Sequence, residues 1–95
     1  MNDENIVMES LRNEFRILEL KRFEIVSNYV TGMVTVSDIN DFKERLFAFR
    51  DKLYAIPISN NNLLEVAKMK SMVQHFNTEV LEDEEILKVA YANEK

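Results

Sequence analysis

The chain contains one glycine, Gly32, and one proline, Pro57. Glycine lets a backbone turn into left-handed geometry, and proline stops a helix from continuing. A chain of 95 residues with one of each has room only for few, short loops. That favours an all-α fold over a sheet, whose turns consume such residues. With 46% hydrophobic and 31% charged residues, the chain has enough apolar material to fold. Its length fits a single helical domain, 1–95. A compact chain of this size buries roughly 60–65% of its unfolded surface, enough for a small core but not for a core and a deep substrate cleft.

The spacing predicts a first, long helix from Asp3 to Val30. Met8, Leu11, Phe15, Leu18, Ile25 and Tyr29 recur at three and four residues, with Arg22 in the slot between Leu18 and Ile25. This is a heptad stripe over three repeats. Ile17, Leu20 and Phe23 form a second stripe on another face. A helix with two apolar faces needs two sets of neighbours, and in so short a chain some are expected from a second copy. Leu11, Phe15, Leu18, Arg22, Ile25 and Tyr29 are therefore the candidate oligomer interface. A polar residue in a heptad core slot can set register and oligomer state; Arg22 can alternatively lay its stem along the stripe with its charge in water. In a parallel pair Glu14 would oppose Glu19 of the second copy, so antiparallel or higher-order packing is expected.

Gly32 sits just past the last periodic residue, where helices often end in a left-handed residue. Met33 to Val36 carry β-branched side chains that suit an extended path, so a short extended connector is expected at 33–36, with Val34 and Val36 tucked between helices. Ser37 or Asp38 can cap a second helix, with Asp38 and Asp41 near its positive end. That helix is predicted from Asp38 to Ala55, with Ile39, Phe42, Leu46, Phe49, Leu53 and Ile56 as its stripe and Phe47 and Tyr54 as a flank. Pro57 ends it, and Ser59 to Asn62 are turn and cap residues. A third helix starts near Asn62, with Val66, Met69, Val73, Phe76 and Val80 inward and Leu63 and Leu64 flanking its start. Asn77-Thr78 can break it, Thr78 then capping a fourth helix through Glu79, Leu87 and Tyr91. Alternatively the heptad runs on, with Asp83 in a core slot and Leu87 and Ala90 resuming it. The break is the favoured reading. The predicted fold is a helical hairpin or bundle of three to four helices.

Few residues offer chemistry. The formal net charge is −5 and there is no cysteine, which disfavours a general nucleic-acid coat and excludes thiolate chemistry. His75 is the only histidine; it has no visible orienting partner, and an exposed helix position beside Phe76 explains it. Glu82, Asp83, Glu84 and Glu85 are the densest charge cluster. Consecutive helical positions point about 100° apart, so these four do not converge on one ion; a solvated face or a docking patch for a basic partner fits better. Arg12, Arg16, Lys21, Arg22, Lys43, Arg45, Arg50 and Lys52 are interleaved with acids, as in solvated faces with pairs such as Asp41 to Arg45. No phosphate loop, nucleophile elbow or dinucleotide fingerprint is present, so no catalytic residue, cofactor or metal is expected. The acidic start Met-Asn-Asp-Glu-Asn is unlike a signal peptide, and no run reaches the ~18 apolar residues of a membrane span.

Leu18 to Pro57, "LELKRFEIVSNYVTGMVTVSDINDFKERLFAFRDKLYAIP", resembles the central region of phage terminase small subunits. The matching features are a long helix ending at Gly32, a linker with Val34 and Val36, and a next helix closing on Arg50, Leu53, Ile56 and Pro57. The resemblance implies a helical oligomerisation region in a viral DNA-packaging protein, located in the host cell cytoplasm or the virion. That family's DNA-binding helix-turn-helix precedes this region, and only seventeen residues precede Leu18 here, so DNA recognition carries over to no residue. The expected function is a non-enzymatic, self-associating adaptor that also meets another viral or host protein. The alternative is a small acidic inhibitor or regulator of such a protein.

Overall fold

The structure, a computed structural model, describes residues 3–93. Its elements are α1 (Asp3–Val30), α2 (Val36–Tyr54) and α3 (Leu63–Asn93), and no strand occurs among the described residues. The three helices pack as an elongated all-α bundle of 59 × 17 × 17 Å. Inter-helix ion pairs fix the directions. Arg12 meets Glu65 and Arg22 meets Asp83, so α1 and α3 run parallel. Lys52 meets Glu14 and Lys43 meets Glu84, so α2 runs antiparallel to both.

The α1 stop follows the glycine expectation. The Gly32 N–H donates to the Tyr29 carbonyl at 3.1 Å and the Met33 N–H to the Asn28 carbonyl at 2.9 Å. This double closure is a Schellman motif, which places the residue after the cap in left-handed geometry. Gly32 has φ +74°, the only positive φ among the described residues. A Cβ there would meet nothing within 4 Å, so backbone geometry alone selects glycine.

The start of α2 differs from expectation. The extended stretch covers 33–35 only, and the cap is Thr35 rather than Ser37 or Asp38. Thr35 Oγ1 accepts from the Asp38 N–H at 3.1 Å, and Asp38 Oδ2 accepts from the Thr35 N–H at 2.9 Å. This capping box satisfies two groups at once, so Thr-x-x-Asp outweighs the extended preference of Val36. Val34 and Ile39, on either side of the cap, are both buried, in the positions of a hydrophobic staple. Val36, expected to tuck inward with Val34, becomes the first helical residue and is exposed.

After α2, Asn62 organises the turn. It is buried; its Nδ2 donates to the Pro57 carbonyl at 3.1 Å and its Oδ1 accepts from the Ser59 N–H at 2.9 Å. The Leu63 N–H then donates to the Ser59 carbonyl at 2.9 Å, which starts α3.

The expected break at Asn77-Thr78 does not occur: α3 is one helix of 31 residues, and there is no fourth helix among the described residues. The Thr78 hydroxyl donates back to the Gln74 carbonyl at 3.1 Å instead of capping a new helix. Val80 is fully buried and Asp83 finds a cation, so both positions after Thr78 reward continuation. Leu87 packs on the core, whereas Ala90 is exposed and the Tyr91 side chain lies outside the described residues.

The core joins Met8, Leu11, Leu18 and Ile25 of α1, five residues of α2 from Ile39 to Leu53, and Val66, Met69, Val73, Phe76 and Val80 of α3, with Val34 closing one end. At its centre Phe15 lies 5.8 Å from Phe49 and 6.3 Å from Phe76 between ring centroids, and Phe42 meets Phe76 edge-on at 6.1 Å. These separations fall in the favourable range for aromatic pairs.

Candidate functional site

The residues expected to join copies of the chain lie against its own helices. Leu11, Leu18, Arg22 and Ile25 are buried, and Phe15 and Tyr29 are half-buried and packed on the same core. The neighbours of this first stripe are α2 and α3 of the same molecule.

Arg22 does not extend its charge into water. Its side chain is 9% exposed, and it reaches two acids one turn apart on α3. Nη1 donates to Asp83 Oδ2 at 2.6 Å and Nε to Glu79 Oε1 at 3.2 Å. Charge-assisted bonds of this kind compensate the loss of water around a buried guanidinium. His75 Nε2 stands 3.5 Å from the same Glu79 oxygen. The nearby Tyr29 hydroxyl is buried without a hydrogen-bond partner, and burial first, then the Asp83 charge, raises its pKa above the ordinary tyrosine value.

The second stripe is the one left open. Ile17, Leu20, Phe23 and Val26 are 46%, 58%, 70% and 46% exposed. They step by three residues and form one slanted ridge on the outside of α1. Ile17 also lines a shallow groove of about 260 Å³ with Leu18, Phe49 and Lys52 between α1 and α2. Val26 had no place in the expected stripe, although one further step of three from Phe23 reaches it. Arg16, Glu19, Lys21 and Glu24 border the ridge with mixed charge.

The acidic run at 82–85 is split by the helix. Asp83 faces Arg22, and Glu84 accepts from Lys43 Nζ at 2.8 Å. Glu82 and Glu85 are exposed. The hydrogen bond from Lys43 holds the Glu84 carboxyl below the ordinary range, and the one from Arg12 does the same for Glu65. Arg12 binds Glu65 through both Nε and Nη2, at 2.6 and 2.8 Å. The expected pairing of Asp41 with Arg45 is not among the ion pairs of the described residues; both instead line an open groove of about 500 Å³ between α1 and α2, together with Lys21, Glu24, Asp38 and Glu44. Among the described residues no three acidic or histidine side chains converge as metal ligands would. No described helix is long and apolar enough to cross a membrane.

No protein family, curated protein or solved structure matches the chain.

Proposed function

We propose that this protein is a non-enzymatic helical adaptor that associates with a second copy of itself through the outer ridge of α1. The observation that carries the reading is the exposure of Ile17, Leu20, Phe23 and Val26 on a helix whose other apolar stripe is already covered. A row of four neighbouring apolar side chains winding along one helix is a costly feature in water and an ordinary one for a helix that meets another. The interface thus moves from the stripe of Leu11 and Leu18 to that of Leu20 and Phe23. The resemblance of Leu18 to Pro57 to terminase small subunits supports the same class of role, assembly in viral DNA packaging, without assigning DNA contact to any residue.

Light scattering behind a sizing column tests the reading. An assembly larger than one chain, reduced to the monomer mass by Leu20→Lys with Phe23→Lys, supports it. A monomer at every concentration overturns self-association and leaves the ridge to a different viral or host protein, the inhibitor or regulator role.

A further inference from the structure

We propose that α3 beyond Val80 is a strap held to the bundle by charge, which lifts while the remainder of the fold stays intact. Up to Val80 the helix is anchored by apolar burial: Val66, Met69, Val73, Phe76 and Val80 are all buried. From Leu81 to Ala90 no residue is buried, and only Asp83, Glu84 and Leu87 are half-buried. Leu87 is the single apolar anchor of that segment, while Leu81, Ile86 and Val89 face outward. The other two inward positions are held by ion pairs, Asp83 to Arg22 at 2.6 Å and Glu84 to Lys43 at 2.8 Å.

The groups beneath the strap favour opening. Arg22 and Lys43 both face it, with side chains 9% and 24% exposed, and both regain water when it lifts. The Tyr29 hydroxyl, buried and unpartnered when the strap is down, also regains water. Regions with few buried apolar contacts open at lower free energy than the global transition. Fraying of a helix end would also raise local exchange, but it would not depend on Lys43, a residue of α2. A clamp of ion pairs does, and it weakens with salt because ions screen charges as they become accessible. Lifting uncovers Lys43 and the Nη1 side of Arg22, whose Nε keeps its partner Glu79 on the anchored part of α3.

Residue-resolved amide hydrogen exchange on the full chain tests this, at about 0.05 M and about 1 M sodium chloride, where the screening length falls from above 10 Å to about 3 Å. The expected result is several-fold faster exchange at high salt for the amides of 82–90, with 66–80 unchanged. Lys43→Met should reproduce the fast exchange at low salt and reduce the salt response. Glu84→Gln, a milder change, should do the same if Lys43→Met folds poorly. Salt-independent exchange of 82–90, or equal acceleration of 66–80 and 82–90, overturns the strap.

Discussion

The two apolar stripes of α1 are built from similar residues and meet different surroundings. Leu11, Leu18 and Ile25 disappear into the bundle, whereas Leu20 and Phe23, on the same helix, stay in water. The inner stripe keeps the heptad spacing that α2 and α3 can match in parallel and antiparallel directions. The outer one steps by three and drifts around the side of the helix that α2 and α3 leave exposed. The inner stripe therefore folds the chain, and the outer one is available to join it to something else.

The comparison breaks most sharply at Leu18. Leu18→Ala should destabilise the monomer by about 2–4 kcal/mol, because a buried leucine leaves both lost contacts and a cavity. Urea unfolding at low protein concentration measures this. Arg22→Ala comes next, at about 2 kcal/mol. Removing one member of a buried ion pair costs more than that in full burial, but Glu79 and Asp83 keep side-chain exposures of 34% and 17% and are partly solvated when left alone. Arg22→Met should cost less than Arg22→Ala, since the methionine stem keeps the packing; an equal loss would mean the charge alone holds the position.

Gly32→Val serves as a control outside both stripes. The φ of +74° should make it cost about 1 kcal/mol or more without a clash. Phe23→Ser on the outer stripe should change monomer stability by about 0.5 kcal/mol or less, the usual effect of a surface change away from the core. A loss like that of Leu18→Ala would mean the outer stripe also folds the chain.

The smallest effect comes from acid. Glu65 and Glu84 have folded pKa values below the ordinary carboxylate value, through hydrogen bonds from Arg12 and Lys43 against a smaller opposing effect of burial. Their contribution is fully present above the ordinary carboxylate value and is lost as pH falls through the lowered folded values. Thermal unfolding followed from neutral to acid pH should show a decline in that window, smaller in Glu65→Gln and Glu84→Gln.

The stripes themselves were legible because a helical period fixes which residues share a face. Every buried residue of α2 belongs to its expected stripe, as do Val66, Met69, Val73, Phe76 and Val80 of α3. The stop at Gly32 was legible for the same local reason. Spacing does not say who occupies the far side of a stripe, so Arg22 could be read as a link between copies or as a charge laid out into water, and its acids 57 and 61 residues away in the same chain were out of view. The continuity of α3 was hidden because Asn77-Thr78 is a plausible local stop, and only Val80 and Asp83 in their tertiary places outweigh it. At the other connector, Thr35 with Asp38 was a readable capping box obscured by the strand-like Met-Val-Thr-Val. The exposed ridge was visible from Ile17 to Phe23, and Val26 completes it.

The most direct test compares the solution mass of the native chain with that of the Leu20→Lys, Phe23→Lys variant, over a range of concentrations, by light scattering behind a sizing column. The division between stripes predicts an assembly for the native chain and a folded monomer for the variant. A native monomer, or a variant that assembles like the native chain, would contradict it.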